Sequence, residues 1–184
     1  ERNLPIMKDN QLLIPNPIPW RQWQVFLARC YAHVTMVDAA AGSILKRLEQ
    51  LGMAENTVVI WTSDHGDGIA SHGGHFDKGS YMSEEVMRVP LAVRYPGKVP
   101  AGVKSDALVS SMDIAPTMLG AAGLRFPNAV DGMNLIPLCC GNESERREDI
   151  LLETHGHGYG WHDIARMLVV PPYKYIANQK HMDE

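Results

Sequence analysis

An apolar run that ends in a polar cluster constrains the fold of this chain most strongly. Val58-Val59-Ile60-Trp61-Thr62 shows no polar alternation, and Ser63-Asp64-His65-Gly66-Asp67-Gly68 follows it directly. A strand that is covered on both faces has this pattern, whereas a strand with one solvent-exposed face alternates. The run therefore predicts a buried parallel strand. Ligand sites in parallel sheets lie beyond the carboxyl ends of the strands, so the polar cluster stands where a site is expected.

The segments around this strand are typical of an α/β protein. Apolar residues recur at steps of three or four over residues 23–51, and Gly52 follows as a helix terminator. A helix, a tight turn and a buried strand are the components of a doubly wound sheet with helices on both faces. Residues 89–93 predict a second buried strand, and residues 110–123 predict a helix with Asp113 as its N-cap.

The two ends of the chain differ from this central pattern. Four prolines among the first twenty residues predict an irregular, extended arm. After about residue 125, residues 150–152, 167–170 and 173–176 are short strand candidates with no helices between them, which favours antiparallel pairing. We therefore predict two parts: residues 1–125 from a large α/β domain, and residues 126–184 from the start of a smaller antiparallel subdomain.

Composition narrows the classes of function. The 184 residues carry 17 Lys and Arg against 21 Asp and Glu, so the basic face of a nucleic-acid-binding protein is not expected. No apolar run approaches the roughly eighteen residues of a membrane span. Three cysteines form no disulfide framework. We interpret Glu1 as a cut end, so the sequence does not distinguish a cytoplasmic from a periplasmic or secreted protein, and it leaves the oligomeric state open.

Asp64 and His65 are the sharpest chemical feature of the sequence. A carboxylate and an imidazole that follow a buried strand can turn into one pocket, and together they suit a divalent metal ion whose other ligands come from elsewhere. The alternative interpretation is that Asp64 caps the next turn and His65 is an ordinary loop histidine.

Three further side chains follow in a glycine-rich loop. The ammonium group of Lys78 can hold an anionic substrate oxygen beside a metal, or it can simply be solvated. His72 and His75 lie between His65 and Lys78 and are candidates for binding the same anion. No nucleophile motif such as G-x-S-x-G and no Walker A sequence is present.

An ordered series of short motifs resembles the sulfatase family within the alkaline phosphatase superfamily. The central motif is Thr62-Ser63-Asp64-His65-Gly66-Asp67. The remaining segments are Tyr31-Ala32-His33, Val37-Asp38, Leu51-Gly52-Met53, Lys78-Gly79, Glu84-Glu85, Arg88-Val89-Pro90-Leu91, Met112-Asp113-Ile114-Ala115-Pro116-Thr117, Ala122-Gly123-Leu124, Asp131-Gly132 and Lys174-Tyr175-Ile176. The resemblance implies an alkaline-phosphatase-like fold and metal-dependent hydrolysis of small-molecule or saccharide sulfate esters.

The resemblance also implies roles for individual residues. Asp64 and His65 are implied to be metal ligands, and Lys78 is implied to bind the sulfate and assist the leaving oxygen. The family's usual ion is Ca²⁺, although the nitrogen ligand from His65 leaves Mn²⁺ or Zn²⁺ open. In the family, a hydrated formylglycine aldehyde attacks sulfur.

The sequence departs from the family at the nucleophile. Formylglycine forms from Cys or Ser in a C/S-x-P/A-x-R motif, and neither Cys30 nor Cys140 stands in such a motif. We therefore expect this chain to be a fragment that is inactive alone, with formylglycine upstream. One alternative is a phosphonate or phosphate mono- or diester hydrolase, favoured by His65. The other is a non-catalytic binding or structural module, if this chain is the complete product.

Overall fold

The computed structural model describes residues 6–8, 11–13, 18–69, 71, 75–76, 78, 82–144, 146–155 and 164–179. Helices and short antiparallel strands form the regular structure of this part of the chain. In chain order the elements are β1 (Ile6–Lys8), β2 (Gln11–Leu13), α1 (Trp20–Gln50), β3 (Val59–Thr62), β4 (His75–Phe76), α2 (Glu84–Met87), β5 (Leu91–Arg94), α3 (Ile114–Ala121), α4 (Ile136–Cys139), β6 (Ile150–His155), β7 (Ile164–Val170) and β8 (Tyr173–Gln179).

The long helix predicted from apolar periodicity is α1. It begins at Trp20, three residues before the predicted start, and ends at Gln50. Gly52 adopts a φ of 67°, and the Met53 N–H donates to the Leu48 carbonyl, so the predicted glycine terminator is confirmed. No residue of α1 is buried by the described part of the chain. Within that part, no helix is both long and apolar enough to cross a membrane.

The predicted parallel strand is β3, but the prediction of its pairing was wrong. β3 pairs antiparallel with β5, from Val59 opposite Arg94 to Thr62 opposite Leu91. Val59, Ile60 and Thr62 are half-buried and Trp61 is exposed, so the described residues do not cover β3 on both faces. A pattern of apolar residues indicates which side chains favour burial, and it does not fix the direction of the pairing strand. The mixed helix and strand class is confirmed, and the described residues do not form the doubly wound sheet with helices on both faces.

The N-terminal arm and the C-terminal sheet are both antiparallel. β1 pairs with β2 and β2 with β4, so the arm predicted to be irregular contains two short strands. β6, β7 and β8 form a three-stranded meander, which confirms the predicted antiparallel pairing after residue 125. The domain boundary at residues 125 and 126 stays a prediction.

One face of the C-terminal sheet carries the buried hydrophobic cluster that matters for the site. Ala165 and Met167 of β7 are buried there together with Met82, which precedes α2. Met87, at the end of α2, packs against the same cluster. The sheet therefore holds the α2 segment, although α2 lies far from it in sequence.

The start of α3 has the predicted N-cap residue, but its capping hydrogen bonds come from a turn that precedes it. A 3₁₀ turn over Ser111–Asp113 precedes the helix, and its N-cap is Ser110, whose side chain accepts from the Met112 N–H. The Ser110 N–H donates to Asp113 Oδ2 at 2.8 Å, which completes a capping box. Asp113 is the N-cap residue of α3, as predicted, but its side chain makes no capping hydrogen bond to that helix, because the capping bonds belong to Ser110 at the start of the 3₁₀ turn.

Asp113 instead fixes three segments around one buried carboxylate. Its oxygens accept from both terminal nitrogens of Arg147, at 2.7 and 2.6 Å, and from the Met133 N–H at 2.8 Å. Its backbone carbonyl accepts from the buried Thr117 hydroxyl, which in turn accepts from the Leu135 N–H. Because each of these groups is buried or half-buried and paired, losing one partner leaves another uncompensated.

We predict that breaking this pair is costly. Arg147→Met and Asp113→Asn each leave a buried or largely buried charge without its partner, and a broken buried pair costs about 3–5 kcal/mol of unfolding free energy. Arg146→Met is the matched control, because Arg146 pairs with Asp106 and Glu143, whose side chains are 88% and 45% exposed, and exposed ion pairs contribute little to stability. Urea unfolding of the three variants measures the difference, and equal losses would contradict it.

Asp113 also predicts a pH dependence. Burial raises the pKa of this carboxyl, but the hydrogen bonds from Arg147, Met133 and Ser110 outweigh burial and lower the pKa below its ordinary value. A folded pKa below the unfolded value of about 3.9 stabilises the protein above that pH, and the stabilisation is lost as pH falls through the folded pKa. Unfolding free energy measured from about pH 5 downward should therefore fall less steeply in Asp113→Asn than in wild type; parallel curves would refute this role.

Candidate functional site

The polar cluster predicted from the sequence forms a tight loop after β3. The Ser63 hydroxyl donates to the His65 carbonyl at 2.8 Å, and the His65 N–H donates to Asp64 Oδ1 at 2.9 Å. This N–H contact is the main cause that lowers the pKa of the Asp64 carboxyl below its ordinary value. The Asp64 side chain is 84% exposed. The loop therefore presents an ionised carboxylate to the surface.

The ring of His65 is oriented by two neighbours. Nδ1 lies 2.8 Å from the Gly66 carbonyl oxygen, and a carbonyl only accepts, so Nδ1 carries the proton. Nε2 lies 3.1 Å from Nζ of Lys78, and an ammonium group only donates, so Nε2 is the acceptor. The structure thus brings Lys78 to His65 across thirteen positions of sequence, and the two contacts favour the tautomer with the proton on Nδ1.

Asp64 meets the same ring nitrogen. Its Oδ2 lies 3.4 Å from Nε2 of His65, and in the Nδ1–H tautomer both atoms present lone pairs. Two lone-pair atoms side by side are stabilised by a cation, and in this structure Lys78 supplies a positive charge beside Nε2. An imidazole whose other N–H is held by a backbone carbonyl is also the usual arrangement of a metal-binding histidine.

The donor set fits part of a divalent metal site. Asp64 offers a carboxylate oxygen and His65 a correctly presented nitrogen, a combination found in transition-metal sites and tolerated by harder ions. Among the residues that the structure describes, no three His, Cys, Asp or Glu side chains gather to complete a site. Two donors are too few for any of the candidate ions, so further ligands are required.

A close backbone approach fixes the position of this loop. The Gly66 N–H donates to the Val86 carbonyl of α2 at 2.8 Å. A Cβ placed on Gly66 would overlap the Glu85 carbonyl oxygen, so glycine is required here by space. No pattern around Gly66 in the sequence indicates this role, because the contacting backbone lies twenty positions further along the chain.

The structure does not test the roles of the other two predicted anion-binding residues. His75 begins β4, where its backbone pairs with Leu13 of β2. His72 lies outside the described residues. Asp64, His65 and Lys78 are therefore brought together, and the roles of His72 and His75 stay predictions.

Comparison with known proteins identifies the family. The sulfatase family model matches residues 10–124, and the model for the C-terminal part of N-sulphoglucosamine sulphohydrolase matches residues 71–184. The chain belongs to the sulfatase family, so the resemblance carried by the short motifs is confirmed.

Individual relatives agree with this assignment. The chain is 36% identical over 152 residues to an N-acetylglucosamine-6-O-sulfatase of Bacteroides thetaiotaomicron, which covers 81% of this chain and 26% of the relative. It is 45% identical over 117 residues to an endo-4-O-sulfatase of the same organism, covering 62% of this chain and 23% of the relative. The chain thus spans about a quarter of the length of these curated relatives.

A solved structure shows the same fold over most of the chain. It is a complex of a protein with its substrate D-glucosamine-2-N,6-O-disulfate, and it superposes with a TM-score of 0.73 at 31% identity. The match covers 82% of this chain and 31% of the solved one. The arrangement of helices and small antiparallel sheets described above is therefore part of a sulfatase fold.

We predict that Gly66→Ala separates the loop from α2. The added methyl group must displace the Glu85 carbonyl, which costs the hydrogen bond to Val86 and about 1–3 kcal/mol of unfolding free energy. Gly42→Ala is the matched control, since a Cβ at this exposed position in α1 meets nothing within 4 Å and alanine favours a helix. Chemical denaturation should show Gly66→Ala destabilised and Gly42→Ala unchanged or stabilised. A fully stable Gly66→Ala variant would contradict the close approach.

Proposed function

We propose that the protein containing this chain hydrolyses sulfate esters, with Asp64 and His65 as metal ligands and Lys78 as a sulfate-binding residue. Membership of the sulfatase family supports the reaction class. The observation that carries the residue roles is the meeting of Lys78 Nζ and Asp64 Oδ2 at Nε2 of His65, at 3.1 and 3.4 Å.

The proposed metal ligands suit a divalent cation. The lowered pKa keeps Asp64 ionised, and the Gly66 carbonyl keeps the Nε2 lone pair of His65 available. Sulfatases typically use a metal ion together with formylglycine. We propose Ca²⁺ as the ion. Mn²⁺ and Zn²⁺ are the alternatives, because both accept the nitrogen ligand that His65 provides. A bound divalent cation supplies positive charge that gathers sulfate oxygens and lowers the cost of a nearby anionic nucleophile.

Lys78 can also donate to the substrate when His65 binds a metal ion. The single lone pair on Nε2 of His65 cannot both ligate a metal and accept from Lys78. When His65 serves as a ligand, the ammonium group of Lys78 is released from this hydrogen bond and can donate to an anionic oxygen nearby. We propose that this oxygen belongs to the sulfate ester, where the charge of Lys78 stabilises the leaving oxygen as its bond to sulfur breaks.

The nucleophile is proposed to come from another part of the protein. Neither Cys30 nor Cys140 stands in the formylglycine motif of the family. Cys30 lies in α1 and Cys140 follows α4, and in the structure the Cys140 thiol donates to the Lys98 carbonyl. Neither cysteine therefore shows a contact with the Asp64–His65–Lys78 cluster.

The proposed substrates are saccharide sulfate esters. The solved relative binds a disulfated glucosamine, and the curated relatives are sulfatases described for 6-O and 4-O positions. These positions differ between relatives of similar identity, so the class of substrate is proposed without its regiochemistry. No nucleic-acid partner is proposed.

Parallel rate assays on the full-length protein test the proposal. Aryl sulfate, aryl phosphate and aryl phosphonate esters are compared in the presence of Ca²⁺ or Mn²⁺. We expect sulfate to be hydrolysed fastest. Faster phosphate or phosphonate hydrolysis would replace the proposal with the phosphoryl alternative, and no turnover of any ester would favour a non-catalytic module.

We predict that Lys78→Ala lowers kcat of the full-length protein more than it changes KM. Negative charge grows on the leaving oxygen in the transition state, and loss of one such contact costs on the order of 3 kcal/mol, or about a hundredfold in rate. The loss should increase with the basicity of the leaving group. Lys104→Ala, which removes an exposed lysine outside the Asp64–His65–Lys78 cluster, is the control. A wild-type response across the leaving-group series would remove Lys78 from the catalytic residues.

A further inference from the structure

Lys174 on β8 makes a long-range ion pair with α2. Its Nζ lies 2.8 Å from Oε1 of Glu84, ninety positions earlier in the chain. We propose that Lys174 is a positioning residue for the Asp64–His65–Lys78 cluster, acting through α2, and its catalytic consequence rests on the function proposed above. Lys174 touches none of the three cluster residues in the contacts described, so its effect is on geometry and not on the chemical step itself.

The first step of this connection is the attachment of α2 to the C-terminal sheet. Met82 precedes the helix and Met87 is its last residue, and both pack with Met167 on one face of the sheet. Residues two positions apart in a strand lie on the same face of the sheet, so Lys174 shares a face with Ile176. Ile176 packs against this hydrophobic cluster. The ion pair therefore lies beside the hydrophobic contact and adds a second, polar attachment of α2 to the sheet.

The second step is the attachment of the cluster to α2. The Gly66 N–H is held by the Val86 carbonyl, and Val86 is 2% exposed. Lys78 precedes Met82 by four positions of sequence. The loop with Asp64 and His65 and the residue Lys78 are therefore both connected to the segment that contains α2. A rotation of α2 would displace Gly66, and with it the carbonyl that orients the His65 ring.

Hydrogen exchange at the Gly66 amide reports this connection without any assay of activity. In the full-length protein, Lys174→Met should raise the exchange rate of this amide about three- to fivefold, the effect expected of a partly exposed ion pair. Lys174→Arg, which keeps the charge and the reach, should restore the wild-type rate. The Leu135 amide, held by the buried Thr117 hydroxyl, serves as the internal reference for global opening.

Arg166→Met is the matched control variant. Arg166 forms a similarly short ion pair with Glu153 in the same sheet, with Nε 2.6 Å from Oε1. Arg166 is next to the buried Met167 in β7, so its side chain lies on the opposite face of the sheet. It should leave Gly66 exchange unchanged. Equal acceleration by Arg166→Met, equal acceleration of the Leu135 amide, or no acceleration in Lys174→Met would each overturn the proposal.

The same variants separate this proposal from the proposed function. If wild type hydrolyses sulfate esters, Lys174→Met should lower kcat/KM by a factor similar to its effect on exchange, and Lys174→Arg should restore it. An unchanged kcat/KM beside faster Gly66 exchange would overturn the catalytic part of the proposal. If wild type hydrolyses no sulfate ester, the proposed function fails, and Gly66 exchange still decides whether Lys174 positions the loop.

Discussion

The close approach of the Gly66 backbone to α2 determines where the side chains of the candidate site lie. The Gly66 N–H donates to the Val86 carbonyl at 2.8 Å, and the Glu85 carbonyl leaves no space for a Cβ on Gly66, so the loop after β3 is held against the helix at one defined point. The Gly66 carbonyl then fixes the proton on Nδ1 of His65, which leaves Nε2 to face Lys78. A backbone contact thus sets the tautomer of a side chain that is proposed to bind metal.

Two carboxylates in this chain show how environment separates a structural from a functional role. Asp113 is fully buried, and both of its oxygens are satisfied by Arg147 and by backbone N–H groups. Asp64 is 84% exposed and one of its oxygens is held by the adjacent N–H, while the other faces Nε2 of His65. Both carboxyls have lowered pKa values and are charged at neutral pH. Only Asp64 retains capacity for a ligand, which is the physical basis for assigning it to the site.

Features that depend on neighbouring residues were predictable from the sequence. Apolar periodicity predicted α1, glycine chemistry predicted its end at Gly52, and three apolar runs predicted the antiparallel C-terminal strands. The position of Asp64 and His65 after a strand was predicted from the same kind of pattern. The ordered short motifs indicated the family, which the comparisons confirm.

Features that depend on distant partners were not predictable. The antiparallel pairing of β3 with β5 is decided by β5, and no pattern within β3 specifies it. Asp113 acts as a hub because Arg147, thirty-four positions later, reaches it. The ion pair between Lys174 and Glu84 was not predictable for the same reason. It forms because the C-terminal sheet packs on α2, and neither residue stands out in the sequence.

The protonation of the His65 ring tests the central claim most directly. Nitrogen-15 NMR of the histidine rings in the full-length protein distinguishes the two neutral tautomers and detects a ligand at the unprotonated nitrogen. We expect the Nδ1–H tautomer for His65, with an Nε2 resonance that shifts when Ca²⁺ or Zn²⁺ is added and that no longer responds in Asp64→Asn. An Nε2–H tautomer, or a ring that is indifferent to added metal, would contradict the assignment of Asp64, His65 and Lys78 to one site.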